Sequence, residues 1–229
     1  MDIHLIINNF LIILGGLDET LILIFLSLIL GFFISIPFAL ARVSSIKILS
    51  QSIYYYIFVI RSTPLLVQIY LIYFGLGSIK AVRESFLWIL LKEPFWCGVI
   101  ALVINTVAYT TEIFRGGIQS ITKGQIESCK SLGMNKFTMY LKIVLPCAFR
   151  QALPGYGNEI ILMVKATSLV SLTTYMEMTG IARSIMYKTF VPIEAFIAAG
   201  SIYLFLNFIV VQFIRFLVWK YNPHLRIKT

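Results

Sequence analysis

Apolar residues fall in long blocks along this chain, and polar residues gather between them. Thr20 to Ala41 is the cleanest block, followed by Ser52 to Leu76, Phe95 to Phe114, Ala148 to Leu172 and Ala195 to Trp219. A membrane-spanning helix needs about 20 mostly apolar residues, so the pattern predicts five spans. The second is interrupted by Arg61-Ser62-Thr63-Pro64, and the fourth carries several polar residues. Residues 1–19 read as a short interfacial helix ending at Gly15-Gly16, without the basic region and small-residue cleavage site of a signal peptide. Residues 20–219 then form one transmembrane domain, and residues 220–229 a short tail.

The stretch between spans three and four, about 116–146, breaks the pattern. It is too long to be an ordinary connection and too rich in Ile, Leu, Met and Phe to be disordered. Lys123 to Leu132 is patterned as a short helix with Gly133 as its stop. Asn135 can cap a second helix, Lys136 to Leu145, which Pro146 should end or kink. The local pattern fits either a docking knob or a plain linker.

Composition supports the membrane reading. The chain is 59% hydrophobic and 13% charged, where a globular domain is roughly 25% charged, and its mean hydropathy is +0.89. The fold class is an all-α integral membrane protein. The net charge of +9 then speaks of topology and anionic lipid rather than nucleic acid. Residues 115–150 hold Arg115, Lys123, Lys130, Lys136, Lys142 and Arg150 against Glu127 alone, and the tail is also basic. Residues 1–19 carry only acids. This alternation predicts an outside N-terminus, with the central loop and C-terminus in the cytoplasm.

The side-chain inventory excludes several chemistries. The cysteines, Cys97, Cys129 and Cys147, form no CxxC pair, and the histidines, His4 and His224, lie at opposite ends, so no metal site is expected. There is no P-loop and no credible Ser-His-Asp or Cys-His set. The chain should not be an enzyme, and energy for transport must come from a partner or an ion gradient.

Polar groups inside spans are costly, which makes them functional candidates. Glu159 sits near the middle of span four, Asn105 of span three, Gln68 of span two and Asn207 of span five. Glu159, beside Asn158, could receive the guanidinium or ammonium of a cationic solute. It could instead pair with Lys165 or touch a partner subunit. Glu112, three residues before Arg115, is expected to snorkel. Pro64 disfavours helix at Thr63, so Thr63 and Gln68 are candidates for a broken segment lining the path. Arg61 is read as reaching the headgroups.

The loop spacing resembles a known pattern. Glu127-Ser128-Cys129, three residues, Gly133, nine residues, then Ile143-Val144-Leu145-Pro146 is similar to the EAA loop of permease subunits of bacterial ABC importers. Ser128 and Cys129 replace the two usual alanines. "RSTPLLVQ" at 61–68, "NTVAYTTEIFRGGIQSITKGQIES" at 105–128 and "ALPGYGNEIILMVKATSL" at 152–169 resemble the polar amino acid branch, nearest the histidine, arginine and opine permeases. The resemblance implies the ABC-importer permease (MetI-like) fold in the bacterial inner membrane. It implies import of polar, basic amino acids, driven by ATP and Mg on another chain. Implied partners are a second permease subunit, identical or homologous, two ATP-binding subunits and a periplasmic binding protein. The loop would be a coupling helix seated in an ATPase groove through Ile126, Leu132, Met134 and Phe137. Lys165-Ala166-Thr167-Ser168 resembles a segment near the gate, so Lys165, Thr167 and Ser168 join the path candidates. The rivals are an ion-gradient-driven secondary transporter and a membrane enzyme.

Overall fold

The computed structural model describes residues 3–222, so Pro223 to Thr229 of the expected tail, with His224, lie outside the described residues. Within them the chain is helical, without strands. Nine helices carry the fold: α1 (Ile3–Leu14), α2 (Leu17–Arg42), α3 (Lys47–Ser62), α4 (Leu65–Ser78), α5 (Pro94–Gln119), α6 (Lys123–Ser131), α7 (Lys136–Thr173), α8 (Met178–Thr189) and α9 (Pro192–Tyr221). Two short turns, Lys80–Arg83 and Trp88–Leu91, join α4 to α5.

Helices α2, α5 and α9 are each long and apolar enough to cross a membrane. The pairs α3–α4 and α7–α8 reach that length only together, bent by 103° and 47°, so five spans result if each pair counts as one. The second block is therefore not a straight span. Thr63 is extended (φ −111°, ψ 141°) ahead of Pro64, and α4 leaves almost at right angles.

The centre of the bundle is the packing of α2 on α5 and of α5 on α7. On α2, Ser27, Gly31, Ser35 and Ala39 recur every fourth residue and are buried. Such a small-residue face lets two backbones approach closely. A Cβ on Gly31 would collide with Thr106 Cγ2, and one on Gly117 with the carbonyl of Ala148. Phe32, Phe114, Phe149 and Tyr156 form an aromatic cluster between these helices. The opposite faces of α2 and α9 expose Phe25, Phe33, Leu204 and Phe205, as a lipid-facing surface should.

Helix α1 ends at Gly15-Gly16 as expected and lies across α8 and α9, with Ile13 buried against Met178, Ala195 and Ala198. A carboxylate fixes this corner. Glu177, fully buried, caps α8 by accepting from Gly180 N at 3.0 Å. Its Oε2 accepts from Tyr203 Oη at 2.6 Å and from Thr20 Oγ1 at 3.4 Å. Beside it, Tyr175 donates to Glu19. One side chain thus ties α2, α8 and α9 together.

Candidate functional site

The break between α3 and α4 opens a cavity of about 600 Å³ against α5 and α7. Pro64 has no N–H to give to the carbonyl of Ile60, four residues earlier. Gln68 supplies the missing donor: its Nε2 reaches Ile60 O at 2.8 Å and Thr63 Oγ1 at 2.8 Å. Its Oε1 accepts from Asn105 Nδ2 at 3.1 Å. The broken segment is held by side chains, as irregular backbone at membrane depth must be. Gln68 is buried and committed to this network, while Thr63 and Asn105 reach the cavity wall.

Glu159 is 5% exposed and also on the wall. Its Oε1 accepts from Thr106 Oγ1 at 2.6 Å, and no hydrogen bond to its Oε2 is present among the described residues. The pairing with Lys165 weighed from sequence is not formed. Lys165 lies six residues further along α7, on the same cavity wall, and makes no ion pair among the described residues. The other candidates of this helix do not line the cavity: Asn158 is exposed, Thr167 is buried and donates to Val164 O, and Ser168 donates to Lys165 O.

Arg61 departs from the sequence reading. Rather than extending to the headgroups, its guanidinium stacks over the Tyr109 ring at 4.9 Å and lines the cavity beside Thr63. The proline pattern announces the broken segment, but nothing local shows that α5 places Tyr109 beneath Arg61. Glu112 does not snorkel alone either. It binds Arg115 with N–O distances of 2.6 and 2.9 Å and lies 3.7 Å from Arg42 of α2. Asn207 donates to Tyr203 O on its own helix at 3.0 Å.

The loop between α5 and α7 forms the second candidate region. Thr122 and Gln125 form a capping box at the start of α6. At its end Gly133 has φ +72°, Gly133 N donates to Lys130 O at 2.9 Å, and Met134 N donates to Cys129 O at 3.1 Å. This is a Schellman stop, which glycine adopts without the Cβ penalty. Asn135 then caps α7 by accepting from Thr138 N at 2.8 Å.

Pro146 neither ends nor kinks the second helix. A π-helical turn over Tyr140–Val144 shifts the hydrogen-bond ladder just before it. Pro146 thereby falls in the first turn of the following α-helical stretch, Leu145–Ala166, where a missing N–H is tolerated. The expected second short helix is the beginning of α7.

The expected docking face is also divided. Leu132 and Phe137 are exposed at 80% and 76%, and Glu127, Ser128 and Gly133 are exposed with them. Ile126 and Met134 turn inward, joining Cys129, Met139 and Val144 in a small core with Ile143. Leu145 packs towards Phe114 and Phe149. The spaced residues thus do two jobs: some shape the knob, and others form its outer surface.

Comparison with known proteins agrees with this geometry. Residues 24–222 match the family described as "Binding-protein-dependent transport system inner membrane component". The chain is 49% identical to the nopaline transport system permease protein of Agrobacterium fabrum, over 99% of this chain and 94% of that one. It is 37% identical to the histidine/lysine/arginine/ornithine transport system permease protein of Escherichia coli K12, over 92% and 89%. The fold superposes on the crystal structure of an amino acid ABC transporter with histidines at a TM-score of 0.84, with 33% identity over 96% of this chain and 99% of that one. An inward-facing methionine ABC transporter shares the fold at a TM-score of 0.75 and 15% identity, over 92% and 96%.

Proposed function

The chain belongs to the family of binding-protein-dependent transport system inner membrane components, and on that premise we propose that its cavity passes basic amino acids, with Glu159 receiving their cationic head. It is a multi-pass membrane permease subunit of an ABC importer. It is not itself an enzyme, because ATP hydrolysis in this family resides in a separate subunit. A partner ATPase and a second permease subunit complete such a machine. On our reading they are two ATP-binding subunits, carrying ATP and Mg, and an identical or homologous permease, and a periplasmic binding protein delivers the solute. The N-terminus lies outside, while the loop around α6 and the C-terminus lie in the cytoplasm.

The observation that carries this reading is the placement of Glu159. A nearly buried carboxylate on a cavity wall, whose Oε2 accepts no hydrogen bond among the described residues, can form a charge-assisted bond to a guanidinium or ammonium. Relatives named for histidine, lysine, arginine and ornithine transport support the same class. The exposed Leu132 and Phe137 beside Glu127 support docking of an ATPase groove on α6.

The test is uptake of labelled arginine by vesicles containing the permease, its ATPase and its binding protein. Uptake should require ATP inside, survive an uncoupler, and fall at least about tenfold in Glu159→Gln, the scale of one charged hydrogen bond. Uptake abolished by the uncoupler and indifferent to ATP would instead establish an ion-gradient-driven transporter.

A further inference from the structure

Three exposed cations gather where the end of α9 meets α7. Asn222 is buried, and its Nδ2 donates to Arg150 O at 2.8 Å, which fastens the end of α9 to α7. Around this bond Arg150, Arg215 and Lys220 are all exposed. None of them makes an ion pair among the described residues, and the Lys220 ammonium lies over the Tyr221 ring at 5.5 Å. Neither segment supplies an acid: residues 128–158 and 195–222 contain no Asp or Glu. Basic residues that only set topology can lie anywhere in a loop. These stand on helix walls, and a side-chain bond between positions 72 residues apart brings their helices together. The cluster also ends the lipid-facing stripe of α9. Phe208, Phe213 and Phe216 are exposed along it, followed by exposed Trp219 and Tyr221, the aromatic types that anchor at headgroup level.

Resting on the orientation given under the proposed function, which puts this end of α9 in the cytoplasm, we propose that Arg150, Arg215 and Lys220 form a site for an anionic phospholipid of the cytoplasmic leaflet. The order of parts along α9 matches the order of parts in such a lipid. The phenylalanines face acyl chains, the Trp219–Tyr221 level faces the glycerol region, and the cations face the phosphate. Arg215 lies five residues before Lys220, about 7.5 Å deeper by helical rise, and its long side chain can reach up to the same headgroup. A zwitterionic lipid offers the same phosphate but carries its own ammonium, so the three cations should discriminate against it. The ATPase is the less suitable occupant of this patch. Its assigned surface is the outer face of α6, whereas these cations border phenylalanines that face lipid. A bound headgroup would bridge α7 and α9 from outside as Asn222 does from within, on the helix that begins at the coupling knob.

The experiment titrates the purified complex of this chain with its permease and ATPase partners, in detergent, and counts bound lipid by native mass spectrometry. The probes are dioleoylphosphatidylglycerol and dioleoylphosphatidylcholine, which share acyl chains and a phosphodiester and differ in net charge. The glycerol lipid should bind at least about tenfold more tightly, and each of Arg150→Gln, Arg215→Gln and Lys220→Gln should weaken it about fivefold, the scale of one cation at a membrane surface. The choline lipid should not change. Arg215→Lys keeps the charge and should bind like wild type, as should Lys188→Gln, which removes an exposed cation from α8. Equal wild-type affinity for the two lipids overturns the proposal without any variant. Binding of the glycerol lipid that none of the three neutral substitutions weakens overturns it as well. Loss of the ATPase from the substituted complexes, with lipid binding unchanged, would overturn it by assigning the cations to the ATPase. Detergent removes sidedness, so the binding result does not depend on the orientation. Labelling of Ser128→Cys from outside intact spheroplasts would overturn the leaflet and the topology together, while the lipid site itself would stand.

Discussion

Gln68 Nε2 lies 2.8 Å from the carbonyl of Ile60, the acceptor that Pro64 leaves without a backbone donor. The proline breaks the span, and the glutamine four residues later closes the broken turn. Removing this amide leaves the carbonyl of Ile60 with only the longer bond from the Thr63 hydroxyl, at 3.3 Å, and leaves Asn105 Nδ2 short of an acceptor. Gln68→Leu should lower stability by about 1–3 kcal/mol, the cost of stranding a buried polar group. Thermal unfolding of the purified complex reads this loss. An unchanged midpoint would show that the break holds without its side-chain network.

The close packing of α2 on α5 makes a second prediction. Gly31→Ala would push Thr106 from its position, and Thr106 is the donor to Glu159. Overpacking of this kind costs about 1–3 kcal/mol, and here it should weaken arginine binding as well as stability. Gly124→Ala, where an added Cβ meets nothing within 4 Å, is the control and should behave as wild type. Equal behaviour of the two variants in unfolding and in binding would contradict the packing argument.

A third prediction concerns the corner built on Glu177. Tyr203→Phe removes the shortest of its side-chain hydrogen bonds, 2.6 Å in length. Bonds to charged groups contribute about 1.5–3 kcal/mol, so the variant should unfold earlier. Arginine binding should persist, because Glu177 and Tyr203 lie outside the central cavity. Loss of binding with unchanged stability would mean that this corner belongs to the solute path.

Topology can be read with a single thiol. The native Cys129 of this loop is unsuitable because it is 7% exposed within the small core under α6. Ser128 is exposed on the same helix. In a background lacking the three native cysteines, Ser128→Cys should resist a membrane-impermeant thiol reagent in intact spheroplasts and react after lysis. Labelling before lysis would invert the assigned orientation.

Much of this architecture is legible in the sequence because bilayer thickness and hydrogen-bond satisfaction act locally. Uninterrupted apolar length marks α2, α5 and α9 directly. Gly133 and Asn135 mark the end of α6 and the start of α7 because capping involves residues only a few positions apart. The rest depends on distant partners. The bend at Thr63–Pro64 is announced by the proline, but its angle is set by Gln68 and Asn105. The π-helical turn at Tyr140–Val144 carries no local pattern, so Pro146 looks like a terminator when it is not. Glu177 gains its partners Thr20 and Tyr203 from two other helices, which no local pattern brings to it. Arg61 reads as a headgroup anchor until Tyr109 is seen beneath it.

The most direct test of the account is how much ATPase stays with the permease when the α6 knob is re-aimed. Gly133→Val forces a β-branched residue into φ +72°, a conformation such residues rarely adopt. The Schellman stop should fail, turning Leu132 and Phe137 away from their common surface, while the spans remain intact. The measurement is the amount of ATPase that co-purifies with Gly133→Val after mild detergent extraction, against wild type at equal permease abundance. The account predicts a loss of at least about tenfold, since an interface loses that much for each 1.4 kcal/mol. Full retention of the ATPase, with the variant at normal abundance in the membrane, would mean that the loop only links α5 to α7 and would contradict the coupling role assigned to it.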